Sequence, residues 1–140
     1  MARRSGFTLI EILIAMAIVG ILASAALVGL GSVRQTARDT RRIQDLHSVQ
    51  TALELYYRKN GEYPDSMQWS DLVPLLQAVS GSPIPTDPVS SNAPYEYGSN
   101  GSSYLLKATL EGDDSALQTS PKDNLYGVDC SVAKAYCVKF

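Results

Sequence analysis

Residues 7–33 read FTLIEILIAMAIVGILASAALVGLGSV, and this stretch decides the fold. The hydrocarbon core of a bilayer is crossed by a helix of about 20 apolar residues, so the stretch predicts a membrane-spanning helix. A secretory signal peptide has a shorter apolar region before a small-residue cleavage site. Glu11 is the only charged residue of the run. A carboxylate inside a membrane helix is costly and indicates function; the alternative is an ordinary signal anchor with an incidental glutamate.

The length of the chain indicates one domain, and its ordinary average composition hides the asymmetry between the apolar run and the charged remainder. Its 140 residues include 12 Lys and Arg and 14 Asp and Glu, giving a net charge of −2. This balance excludes a globally basic nucleic-acid-binding protein and an acidic disordered tail. One histidine and two cysteines leave little material for a His-rich metal site or a catalytic triad, and neither a Gly-rich phosphate loop nor paired acids at a defined spacing occur. We therefore expect that the chain is not an enzyme.

Beyond the apolar run, the pattern becomes amphipathic and predicts that one helix continues to about Lys59. The first proline is Pro64, and Asn60-Gly61 is typical of a helix end. The expected apolar face consists of Val33, Ala37, Ile43, Leu46, Val49, Leu53, Tyr56 and Tyr57. The expected polar face consists of Arg34, Arg38, Asp39, Arg41, Arg42 and Asp45. We interpret His47 as a packed or surface residue of this helix.

The remainder of the chain predicts a small antiparallel sheet. The expected elements are a helix over 66–76 with Ser70 as its cap, strands over 95–97 and 104–111, and a further strand within 124–140. Asn100-Gly101 is a hairpin signal between the first two strands. Two or three strands would then pack on the long helix.

The junction at the start of the apolar run resembles the class III leader of type IV pilins and type II secretion pseudopilins. The residues that carry the resemblance are Gly6 followed by Phe7-Thr8-Leu9-Ile10-Glu11. In that family a prepilin peptidase cuts after the glycine and methylates the new N-terminus. The resemblance therefore implies cleavage between Gly6 and Phe7, N-methylation of Phe7, and a role in assembly for Glu11. Its carboxylate can pair with the Phe7 amine of a neighbouring copy, where a low dielectric strengthens the attraction.

The resemblance also implies the architecture. The fold class is α+β and type IV pilin-like, with a long N-terminal helix packed on a small antiparallel β-sheet with C-terminal loops. The expected segments are a leader peptide (1–6), a transmembrane or filament-core half of the helix (7–33), an amphipathic half (34–60) and a small extracytoplasmic domain (61–140). Pro85-Thr86-Asp87-Pro88 and Pro94-Tyr95-Glu96-Tyr97 are similar to the stretch before the sheet in major pseudopilins, although Val89-Ser90-Ser91 departs from it.

The function implied is that of a structural subunit of a type IV pilus-like filament. It would belong to a surface pilus or to a pseudopilus driving type II protein secretion; the alternative is a minor pilin of a DNA-uptake filament. The expected partners are prepilin peptidase, other copies and related pilins, the membrane assembly machinery and the lipid bilayer, and not nucleic acid. The expected location is the bacterial cytoplasmic (inner) membrane, single-pass with the N-terminus inside, followed by an extracytoplasmic filament. This orientation comes from the resemblance alone, because more arginines follow the span than precede it.

Two features of the chain leave alternatives open. The arginines at 34, 38, 41 and 42 could bind DNA phosphates, contact anionic lipid, or pair with Asp39 and Asp45. The helix between Gly20 and Gly31 could be a soft segment that extends in a filament, since glycine weakens a helix. These glycines could equally be small residues for close helix packing.

The family resemblance also bears on the C-terminal loops. Cys130 and Cys137 resemble the C-terminal disulfide loop of many type IV pilins, and an extracytoplasmic domain permits the bond. Major pseudopilins bind calcium in a C-terminal loop, and carboxylate oxygens suit calcium. The candidate ligands are Asp113, Asp114, Asp123 and Asp129. Solvated turn carboxylates are the alternative interpretation of these residues.

Overall fold

The computed structural model describes residues 7–65, 68–89 and 95–140, apart from the side chains of residues 26–29. The chain divides into two compact units, Met1–Arg34 and Gln35–Phe140. Helix α1 (Leu9–Asn60) begins in the first unit and ends in the second. It ends because Gly61 adopts a φ of +83° and donates its N–H to the carbonyl of Tyr57 at 2.7 Å. The long helix expected from the sequence is confirmed.

In the first unit, the described side chains of α1 are exposed, with Leu9 at 81% and Ile21 at 69%. One 18-residue window of α1 has a mean hydropathy of 2.6 and is 0% buried, so by length and composition it could cross a membrane. The backbone is helical through Gly20 and Gly31, and a Cβ added at either would meet nothing within 4 Å. Extension of this segment in a filament stays a prediction.

The second unit contains the remaining elements. After α1 they are α2 (Trp69–Ser80), β1 (Glu96–Ser99), β2 (Tyr104–Thr109), α3 (Ala116–Thr119), β3 (Asn124–Leu125), β4 (Val128–Asp129) and β5 (Ala135–Lys139). Strands β1, β2 and β5 form an antiparallel sheet in that order, and β3 pairs with β4. The α+β architecture with a small antiparallel sheet is confirmed.

The hairpin between β1 and β2 forms as the Asn100-Gly101 pair predicts. Ser99 pairs with Tyr104, so the loop is short. The Asn100 carboxamide oxygen accepts the N–H groups of Ser102 at 3.1 Å and Ser103 at 2.9 Å. Gly101 supplies the positive φ of 83° that the turn requires.

The prediction for α2 is wrong in its extent and its cap. The expected start at Ser66 lies outside the described residues. The helix begins at Trp69 with Gln68 as its N-cap, and Ser70 lies inside it. It also runs past Leu76 to Ser80, because Gly81 closes the C-terminus with a φ of +67° and an N–H bond to the carbonyl of Gln77.

Strand β2 lies between two apolar clusters and fixes the core. Tyr104, Leu106 and Ala108 point to one side of the sheet, where they join the main core. The residues of α1 and α2 in that core are Leu46, Val49, Ala52, Leu53, Leu72 and Leu76. Leu105 points to the other side and packs with Val128 and the two cysteines. Residues 43–60 of α1 therefore hold the sheet in place through apolar packing.

Candidate functional site

The first turn of α1 holds the candidate assembly residue. Glu11 Oε2 accepts the Thr8 N–H at 2.8 Å and the Thr8 hydroxyl at 2.7 Å. In return, Thr8 Oγ1 accepts the Glu11 N–H at 3.4 Å. Because Thr8 precedes the helix and Glu11 is its third residue, this is a capping box, in which each side chain satisfies a backbone donor of the other residue.

The capping box explains how a carboxylate is accommodated in an apolar helix. Its charge lies at the positive end of the helix dipole, and backbone and hydroxyl donors of its own turn satisfy it. Oε1 takes part in neither bond with Thr8. The Thr-x-x-Glu spacing is the sequence signal for this cap, and the expectations drawn from the residues did not include it. Phe7 is 85% exposed, and Gly6 lies outside the described residues.

A second group of charged residues, here called the Arg42 cluster, consists of Arg38, Asp39, Arg42, Asp87 and Glu111. The Arg42 guanidinium is 0% exposed. It donates to Asp87 at 2.7 and 3.2 Å, to Asp39 at 2.8 Å and to Glu111 at 2.8 Å. Arg38 adds a bidentate pair with Glu111, one bond of which is 2.7 Å. One buried cation thus joins carboxylates from three parts of the chain.

The Asp39 carboxylate also binds backbone. It accepts the N–H groups of Glu111 at 2.9 Å and Gly112 at 2.8 Å. A Cβ added at Gly112 would lie 3.3 Å from Asp39 Oδ2. A side chain at residue 112 would therefore require the Asp39 carboxylate to shift by a few tenths of an ångström.

The Arg42 cluster shifts the protonation equilibria of its members in opposite directions. Hydrogen bonds from Arg38 and then from Arg42 lower the pKa of Glu111 from 4.5 to about 2. The hydrogen bond to Asp87 is the largest cause that raises the pKa of Arg42 above its ordinary value. Both shifts favour the charged, paired state.

These contacts correct the expected polar face of α1. Asp39, Arg42 and Asp45 were expected to face solvent but are 2%, 0% and 9% exposed. At the other end of the expected apolar face, Val33 and Ala37 are exposed. Helical periodicity predicts burial from apolar character alone. It misassigned Asp39, Arg42 and Asp45 because a charged side chain can be buried when an ion-pair partner compensates its loss of water.

Much of the arginine group at positions 34, 38, 41 and 42 forms ion pairs with carboxylates, which is one of the alternatives that the sequence left open. Arg42 pairs with Asp39, while Arg41 is 63% exposed and lies 3.9 Å from Asp45. Asp45 itself accepts a 2.6 Å hydrogen bond from the buried Tyr95 hydroxyl. The side chains of Arg38 and Arg42 are therefore ion-paired with carboxylates of the same chain. The exposed His47 contacts Gln50 at 2.9 Å, which agrees with its interpretation as a surface residue.

The disulfide between Cys130 and Cys137 is confirmed, with Cα atoms 6.2 Å apart. Cys137 lies in β5, and Cys130 directly follows β4. The side chains of Cys130 and Cys137 are 0% and 2% exposed in the cluster around Leu105. The bond therefore fixes the centre of the last strand to the loop before it.

The four candidate calcium ligands have separate local contacts. Asp114 accepts the Ala116 N–H, Asp129 accepts the Ser131 N–H and hydroxyl, and Asp123 pairs with Lys139. Asp113 is exposed in the loop before α3. Within 7–65, 68–89 and 95–140, no group of three or more His, Cys, Asp or Glu side chains is placed to hold a metal ion. The calcium site stays a prediction.

Comparison with known proteins supports the interpretation of the N-terminal residues as a leader. Residues 1–27 match the family model for the prokaryotic N-terminal methylation motif. The chain is similar to type II secretion system core protein G of Aeromonas hydrophila, with 32% identity over 83 residues that cover 59% of this chain and 57% of the relative. The same protein of Klebsiella pneumoniae is 35% identical over 83 residues, covering 59% and 58%. That of Escherichia coli K12 is 30% identical over 82 residues, covering 59% and 55%.

The chain spans just over half the length of these curated relatives. No solved structure is matched. The class III prepilin leader and the homology to core protein G confirm the resemblance drawn from Gly6 to Glu11.

Proposed function

We propose that this chain is a structural subunit of a pseudopilus that serves type II protein secretion. The observation that carries the proposal is the capped Glu11 at the start of an exposed apolar helix, within the methylation motif. Similarity to core protein G favours a pseudopilus over a surface pilus or a DNA-uptake filament. The role is structural rather than catalytic.

The proposed pathway begins in the cytoplasmic membrane, where α1 spans the bilayer once with the N-terminus inside. Prepilin peptidase cleaves between Gly6 and Phe7 and methylates the Phe7 amine. The assembly machinery then moves the subunit into a filament in which the apolar parts of α1 pack on other copies. In the filament these side chains pack on neighbouring copies instead of on lipid, so the association rests on close van der Waals packing and on polar contacts between helices.

Glu11 gives the packing its register in this proposal. The ammonium created by cleavage is a cation in apolar surroundings and needs a partner. Glu11 Oε1 is not used by the capping box, so it can accept the Phe7 amine of a neighbouring copy while Oε2 keeps Thr8.

The test compares Glu11→Gln with Ser24→Ala in cells that contain the peptidase and the secretion machinery. Ser24 is a matched control because its hydroxyl bonds the Ile21 carbonyl of its own turn, at 2.8 Å. We expect both variants to be cleaved and membrane-bound, with filament yield about tenfold lower for Glu11→Gln, as loss of about 1.4 kcal/mol per contact gives. Normal filament yield from Glu11→Gln would overturn the role of Glu11, and a mature protein that keeps Met1 would overturn the processing.

A further inference from the structure

The first residues of α1 in the second unit are attached differently from the rest of the helix. Residues 35–42 read QTARDTRR, in which Ala37 is the only apolar residue and is exposed. The apolar contacts of α1 with the core begin at the half-buried Ile43 and at Leu46, which is 0% exposed. The buried attachment of residues 35–42 is therefore ionic and hydrogen-bonded.

We propose that the Arg42 cluster is a latch that holds residues 35–42 of α1 on the body of the second unit and can open while the apolar core stays folded. The latch attaches two separate chain segments to helix α1. Asp87 belongs to the segment between α2 and β1, and Glu111 with Gly112 belongs to the loop after β2. Arg42 binds Asp87, and the Glu111 loop is bound by Arg38, Asp39 and Arg42.

The latch is cooperative because its two sides share these helix residues. The Arg42 guanidinium binds Asp87 on one side and Glu111 on the other. It also binds Asp39, whose oxygens hold the backbone of the Glu111 loop. Loss of the Asp87 contact therefore weakens the position of the Glu111 loop through Arg42.

The physical chemistry of buried ions makes this opening local. A buried ion cluster adds little net stability, but removal of one member leaves the others desolvated and poorly paired. The apolar core from Leu46 to Leu53 does not depend on these charges. Opening of the latch thus exposes the buried side chains of Asp39 and Arg42 to water without unfolding the sheet.

One consequence rests on the proposed function. In a filament whose subunits pack through α1, the latch sets how many helix residues are fixed to the body and how many can adapt to neighbouring copies. The latch itself is a property of a single subunit and is tested without filaments.

The experiment is hydrogen exchange on the full processed chain in detergent micelles, with Asp87→Asn as the main variant. The carboxamide of this variant keeps an oxygen for the Val89 N–H, which Asp87 accepts at 2.7 Å, but it cannot accept from Arg42 through both side-chain atoms. We expect the amides of Glu111 and Gly112 to exchange about tenfold faster, as loss of a charge-assisted hydrogen bond gives. The amides of Leu46 to Leu53 should keep their protection.

The reciprocal variant and the control make the result decisive. Glu111→Gln should accelerate exchange at the Val89 amide about tenfold, because Arg42 links Glu111 to the Asp87 segment. Arg41→Gln changes an exposed neighbouring arginine and should leave all these amides unchanged. Acceleration confined to the mutated segment in both variants would overturn the latch, and so would equal acceleration across Leu46 to Leu53.

Discussion

Arg42 Nε donates to Asp87 Oδ2 at 2.7 Å, and this bond joins helix α1 to a turn 45 residues further along the chain. The turn is itself ordered by the same carboxylate, because Asp87 Oδ1 accepts the Val89 N–H at 2.7 Å. Asp87 lies between Pro85 and Pro88, whose fixed φ values restrict the turn before it meets the helix. A restricted turn loses less conformational entropy when the ion pair forms.

The first prediction concerns acid. The pKa of Glu111 is lowered to about 2 from 4.5 by Arg38 and Arg42, so its stabilising contribution is complete above pH 4.5 and is lost as the pH falls through 2. We expect the unfolding free energy to fall more steeply between pH 4.5 and 2 in the native chain than in Glu111→Gln. Urea titrations at several pH values measure both slopes. Parallel slopes would contradict the role of Glu111.

The sequence predicted the parts of the fold that local pattern controls. The long helix, the Asn100-Gly101 hairpin and the antiparallel sheet follow from apolar period and turn chemistry. Pairing of the arginines with Asp39 was one of the open alternatives, but the contacts of Arg42 with Asp87 and Glu111 were missed, because no local pattern reports that a helix arginine will meet them. Only the packed structure brings these residues together, and it then reverses the burial expected for Asp39, Arg42 and Asp45.

At the N-terminal site, too, one part was predicted from the sequence and another part was missed. The family resemblance predicted an assembly role for Glu11, and the spacing of Glu11 from Thr8 already contained the capping box. The boundaries of α2 show the limit of single-residue signals. At its start, Ser70 is a good cap residue but lies inside the helix. Gly81, which takes the left-handed conformation, determined the observed end.

The second prediction concerns the disulfide. Replacing Cys130 and Cys137 together by alanine should lower the unfolding free energy by about 2–3 kcal/mol, because the bond closes a loop between residues 7 apart in the unfolded chain. Alanine avoids burying a new hydroxyl beside Leu105. Urea unfolding measures the loss from the midpoint and slope of each transition. Two thiols that alkylate in the native protein without reductant would contradict the bond.

The third prediction concerns calcium. We expect the melting temperature to be the same in calcium and in chelator, since three of the four candidate aspartates already have local partners. A metal would compete with the Ser131 donors for Asp129 and with Lys139 for Asp123. Differential scanning calorimetry measures the shift, with magnesium as the charge-matched control. A calcium-specific rise would establish the calcium site instead, because binding at 100 times the dissociation constant adds about 2.7 kcal/mol.

The last prediction concerns the hydroxyl of Thr8. Thr8→Val keeps the shape of the side chain and its backbone N–H, but it removes the 2.7 Å bond to Glu11 Oε2 and the acceptor for the Glu11 N–H. Loss of an N-cap costs about 0.5–2 kcal/mol of helix stability, so the first turn of α1 should fray and the Glu11 amide should exchange faster. Thr8→Ser restores the hydroxyl and should restore protection. NMR of the processed chain in micelles measures both variants. If valine and serine gave equal exchange at Glu11, the Thr8 hydroxyl would not hold the carboxylate, and only the Thr8 N–H would orient Glu11 for the pairing proposed with the Phe7 amine of a neighbouring copy.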